Sequence, residues 1–155
     1  MVTKAEVEVA RRLFEEGWGG GHPDAPKQFM TDDIVMRDIV GHAEPLRGWE
    51  EVRKFWEAAA PTLKTKVEDV YASDKGVALT WIAYVQIADE SMGAENKGKW
   101  IAGEGMSRLE FRDGKVSLEV DYWHGPQGVV EDWEPHWARR QEMSRKDKGA
   151  ITAMG

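Results

Sequence analysis

The chain has 155 residues, no cysteine, eight tryptophans and a net charge of −7. That length suits one domain with a real core, and the missing cysteines exclude disulfides, a thiolate nucleophile and thiolate-bound zinc. The acidic balance argues against nucleic acid, no apolar run is long enough for a membrane span, and MVTKAEVEVARR lacks a signal peptide's apolar centre, so a cytoplasmic protein is expected.

Thr3 and Glu6 form a capping-box pattern, with Val2 and Val7 as a hydrophobic staple. Val7, Ala10 and Phe14, flanked by Val9 and Leu13, give the first helix one apolar face, which Gly17 and the run 19–21 terminate. A loop with Pro23 and Pro26 and a short helical piece near 27–30 follow. IVMRDIV (34–40) then alternates as a strand with Ile34, Met36 and Asp38 on one face. After Gly48, the residues Trp49, Val52, Phe55, Trp56 and Ala59 recur at helical spacing until Pro61. Strands are predicted at 66–72, 77–88, 99–111 and 115–123. Trp133 and Trp137 indicate a partly helical end. Residues 1–140 read as one domain and 141–155 as a loosely held tail. Helices first and strands afterwards predict an α+β fold, with helices packed on one side of the sheet.

The stretch GKVSLEVDYWHGP (114–126) puts Glu119, Asp121 and Trp123 on one face of a strand whose other face is apolar. It is either an exposed strand or the wall of a pocket. If Asp113-Gly114 closes a two-residue hairpin, an unbroken register sets Arg108 opposite Glu119, Met106 opposite Asp121 and Glu104 opposite Trp123. That register predicts an Arg108–Glu119 ion pair. It also leaves Asp121 beside apolar groups and another carboxylate, which raises a pKa and suits proton transfer.

FMTDDIVMRD (29–38), GWEEVRKFW (48–56) and FRDGKVSLEVDYWH (111–124) together resemble the nuclear-transport-factor-2-like superfamily over about residues 5–125. That group includes ketosteroid isomerase, limonene epoxide hydrolase, scytalone dehydratase and SnoaL-like cyclases. The resemblance implies a cone-shaped, curved, mixed or antiparallel sheet (a cystatin-like half-barrel) with helices on its concave side and an apolar pocket inside. It also implies a homodimer or higher homo-oligomer. Asp38 falls where the isomerases hold their proton-moving carboxylate, and Asp121 where the epoxide hydrolase has its water-activating aspartate. Glu119 and Trp123 match pocket-lining positions. The isomerase's two oxyanion-hole donors are replaced by Phe14 and Met106, and YVQIA (84–88) lacks the hydrolase's Arg-x-Asp unit.

None of the four histidines pairs with another at metal-site helical spacing, so no metal and no cofactor are expected. The reading is a lyase or isomerase that acts on an apolar, aromatic small molecule by acid–base catalysis: dehydration, retro-aldol-type cleavage or cyclisation. Asp38 and Asp121 carry protons, Glu119 tunes them, and His124 can titrate near neutrality. Phe14, Trp56, Trp81, Tyr84, Met106, Arg108, Trp123 and His42 are the expected substrate contacts. The alternatives are a non-catalytic binding or assembly domain, and an epoxide hydrolase with a rearranged triad.

Overall fold

The computed structural model describes residues 1–124 and 128–154, with side chains through 145. Helix α1 (Lys4–Arg12) begins at the expected capping box: Thr3 accepts from Glu6 N, and the Glu6 side chain accepts from Thr3 N. It runs on into a π-helical turn, Leu13–Trp18. There the wide i→i−5 bond from Gly19 N to Phe14 O, 2.9 Å, brings both Phe14 and Trp18 into the core.

The sheet contains β1 (Met30–Asp38), β2 (Leu46–Arg47), β3 (Lys64–Ala72), β4 (Val77–Gln86), β5 (Trp100–Arg112), β6 (Lys115–Trp123) and β7 (Gly128–Val130). Its order is β2-β1-β6-β5-β4-β3, with β7 against the start of β5. It is a curved, unclosed mixed sheet, because β1 and β6 run parallel while the other pairs are antiparallel. Helix α1 and helix α2 (Trp49–Trp56) pack on the inner face. Ala10, Leu13, Val52 and Trp56 meet Leu79, Trp81 and Leu109 there in the main core. Val52 and Leu13 are fully buried, and each stabilises the fold by about 1.5–3 kcal/mol relative to exposure.

The long third helix, α3 (Trp133–Met154), covers the opposite face. Its Trp133 and Trp137 pack on a second cluster of Ile82, Tyr84 and Ala102. Pro135 sits in the first turn of α3, where a missing N–H is tolerated. Of the segment 141–155, the backbone is helical through Met154, and the side chains beyond 145 lie outside the described residues. Among the described residues, no helix is long and apolar enough to cross a membrane.

The hairpin closes at Asp113 (φ 54°) and Gly114 (φ 76°), the paired positive φ values of a tight primed turn. The unbroken register does not hold beyond Phe111. Phe111 pairs with Val116, but Glu110 pairs with Leu118, leaving Ser117 as an extra residue, a β-bulge. One extra residue exchanges the faces of everything that follows. Glu119 therefore pairs with Leu109, Asp121 with Ser107, and Trp123 with Gly105. The expected pairings of Arg108 with Glu119 and Met106 with Asp121 are thereby corrected.

Candidate functional site

β1 and β6 build the acidic floor of the site. Their parallel register sets Asp38 beside Asp121 and Met36 beside Glu119, all on the inner face. The three carboxylates, all less than a tenth exposed, line a cavity of about 320 Å³. Aromatic side chains from the helices and β4 wall it: Phe14, Trp18, Phe55, Trp56 and Trp81. Trp18 and Trp56 meet edge to face at 4.8 Å, a contact worth about 0.5–1.5 kcal/mol beyond area burial.

Each carboxylate is tied to an indole. Trp123 Nε1 donates to Asp38 Oδ1 at 2.7 Å. The same oxygen accepts from Val40 N at 3.0 Å and Gly41 N at 2.6 Å. Trp18 Nε1 donates to Glu119 Oε1 at 2.9 Å. Trp81 Nε1 donates to Ser107 Oγ at 2.8 Å, and Ser107 in turn donates to Asp121 Oδ1. These bonds hold one oxygen of each acid in a fixed orientation.

The electrostatics separate the acids. Burial, then the charge of Asp121, raises the Glu119 pKa well above the usual carboxylate range. Its Oε2 is buried and receives no donor. A protonated Glu119 resolves that, because its O–H can donate to Asp121. Burial also pushes Asp121 up to about 7, helped by the Asp38 charge and opposed by the hydrogen bonds from Ser107 and Glu119. The pair therefore holds a proton at neutral pH and titrates as a coupled unit. Among the described residues, no three His, Asp or Glu side chains are arranged to share a metal ion.

Asp38, Glu119, Asp121, Trp123, Phe14, Trp56 and Trp81 thus converge on the cavity. Other expected contacts lie elsewhere. Tyr84 is on the outer face, 2.8 Å from His136 Nδ1 and packed near Trp133; burial there raises its pKa to about 12. Met106 and Arg108 alternate away from the inward Ser107. Arg108 pairs with Glu110 on its own strand at 3.6 Å. His124 lines an outer groove of about 550 Å³ with Met106, where Arg140 binds Glu68 and Glu104. His42 is exposed, with its ring against the edge-on ring of Phe55 at the cavity wall.

Ser107, Trp18 and Phe55 are among the site residues that sequence reasoning missed. Ser107 was hidden by the bulge. Trp18 could have been found from its spacing four residues after Phe14, had the helix been continued through Gly17.

The family model described as the SnoaL-like domain matches residues 10–119. No curated protein matches the sequence. Among solved structures, the chain is similar to a protein titled as a candidate SnoaL-like polyketide cyclase from Jannaschia sp. CCS1, at 22% identity over 77% of this chain and 85% of that one, TM-score 0.62. It is also similar to a candidate polyketide cyclase from Acidithiobacillus ferrooxidans, at 18% identity over 81% and 92%, TM-score 0.65. A computationally designed binder of 17-OHP is similar at 15% identity over 80% and 94%, TM-score 0.61. At these identities the solved structures bear on the fold alone.

Proposed function

Because the chain belongs to the SnoaL-like domain family, we propose that it is a small-molecule isomerase, cyclase or lyase that works by general acid–base catalysis in the inner cavity. The observation that carries this reading is the group Asp38, Glu119 and Asp121, buried side by side in an aromatic cavity with Asp121 held near neutrality. A carboxyl with a pKa close to the working pH is an efficient proton carrier in either direction.

In the proposed reaction the substrate lies between the aromatic walls, which exclude water. Protonated Asp121 gives its proton to a substrate hydroxyl or carbonyl oxygen. Asp38, anchored through Oδ1, takes a proton from substrate carbon on Oδ2. When a C–O bond breaks, the products are an alkene and water, and the proton on Asp38 passes to its register neighbour Asp121. When none breaks, Asp38 can return its proton to a second carbon and the substrate oxygen its own to Asp121, so that the double bond moves. Alternatively, the deprotonated carbon attacks a carbonyl whose oxygen keeps the Asp121 proton as a hydroxyl, closing a ring, and Asp38 reprotonates Asp121. Ser107 and Trp81 act as positioning residues for Asp121, and Trp18 for Glu119.

The test is incorporation of solvent deuterium into 2-tetralone and loss of water from 1-indanol, followed by NMR in wild type, D38N, E119Q and D121N. Each variant should lower the enzyme-dependent rate by about 10²–10⁴. Rates no faster than buffer, or equal in wild type and all three variants, refute the reading.

A second reading is a ligand-binding domain without turnover. It is favoured by Phe14 and the outward Met106, which stand where the isomerase's two oxyanion-hole donors would be. In the same experiment, saturable binding of both compounds with no chemistry selects it.

A further inference from the structure

Among the described residues, fifteen line the inner cavity, and none is Lys, Arg or His. Three are carboxylates and six are aromatic. Three of the four cavity indoles have spent their N–H donors: Trp18 on Glu119, Trp123 on Asp38 and Trp81 on Ser107. What those three rings leave for a ligand is π surface, which is electron-rich on its face, while the fourth, Trp56, keeps a buried N–H without a partner. The fully buried Glu119 lines the same cavity, with its proton shared towards Asp121. A buried acidic cluster enclosed by indoles, with no cationic counterpart among the described lining residues, is complementary to a positively charged ligand.

We propose that the inner cavity takes an organic cation, an ammonium ion carried on an aromatic or alkylated body. The proposal rests on the reading that this cavity is the functional site, and it names the substrate class for it. The carboxylates supply charge attraction in a poorly solvated space, and the indoles supply cation–π contact. An alkylated ammonium sheds its water more cheaply than a metal ion and fills an apolar volume. An anion would meet the Asp38 charge with no compensating cation. The groups facing the ligand are Asp38 from β1, Glu119 and Asp121 from β6, and Thr65 from β3; α1, its π turn and α2 contribute only apolar or indole side chains.

The experiment compares three probes of one shape family on the full chain: phenyltrimethylammonium, its neutral isostere tert-butylbenzene, and benzoate. Binding is read by tryptophan fluorescence in wild type, D38N and D121N. The cation should bind wild type at least about tenfold more tightly than the neutral isostere, and benzoate more weakly than either. D38N and D121N should each lose that preference while still binding tert-butylbenzene, which also shows that the cavity is folded. If a variant fails to fold, the wild-type comparison decides. Equal or tighter binding of the neutral isostere, no binding of any probe, or a preference unchanged in both folded variants overturns the proposal. Deuterium exchange into 2-tetralone separates the two readings. Exchange without cation preference sinks this inference alone, and cation preference without exchange sinks only the catalytic reading.

Discussion

Replacing Asp121 by asparagine keeps the shape and the oxygen that Ser107 bonds, but removes a carboxyl that the fold holds at a pKa of about 7. Asp121 is 6% exposed, so solvent screens little of this shift. The unfolded chain releases that proton near the ordinary aspartate value, whereas the native state keeps it until the pH approaches 7. Between those values the native state binds the extra proton, so stability falls as pH rises, and above the folded pKa the loss is complete. A shift of this size amounts to about 4 kcal/mol in total. Between about pH 5 and pH 8 the wild type should therefore lose roughly 2–3 kcal/mol through this one group, and D121N should not. Urea unfolding followed by tryptophan fluorescence at half-unit pH steps measures both curves, and their difference reports the loss of Asp121 together with the lower Glu119 pKa that follows from removing its charge. Parallel curves across that window would refute the assignment of a buried, titrating Asp121.

Gly105→Ala should destabilise the fold by about 1–3 kcal/mol, seen as a lower Tm. A Cβ there would sit 2.7 Å from both Trp81 Cζ2 and Trp123 Cβ and 2.6 Å from the Tyr122 carbonyl oxygen. Deleting Ser117 removes the extra residue that turns Glu119 and Asp121 inward. The variant should lose its near-ultraviolet circular dichroism, and a native spectrum would show that the bulge does not set the register. Trp18→Phe strips the donor from Glu119 Oε1 and should cost about 1–3 kcal/mol in urea unfolding. An unchanged midpoint would mean that this bond carries no net stability.

Much of the architecture was legible because it follows from local rules. The Thr3–Glu6 box starts α1 where its side chains cap each other, and Asp113-Gly114 closes the hairpin because both residues adopt positive φ. Alternation in IVMRD placed Met36 and Asp38 together on the inner face, and helical spacing buried Trp49, Val52 and Trp56 of α2. The misplaced partners of Glu119 and Asp121 share one origin. Extrapolating the hairpin from its turn assumed a period of two without interruption, and Ser117 carries no chemical mark that distinguishes a bulged serine from a paired one. The β5 residues opposite Glu119 and Asp121 changed face: Met106 and Arg108 went out, and Ser107 came in.

The sequence by itself determined the inventory: an acidic, cysteine-free chain, an α+β order of elements, and a strand carrying Glu119, Asp121 and Trp123 on one side. Tertiary structure decided what that inventory does. Only the parallel pairing of β1 with β6, strands separated by almost eighty residues, brings Asp38 alongside Asp121. Only the helices closing over them remove the water that would otherwise leave three ordinary carboxylates. Burial and mutual repulsion, not residue identity, raise the pKa values of Glu119 and Asp121, and both depend on neighbours that no local pattern specifies.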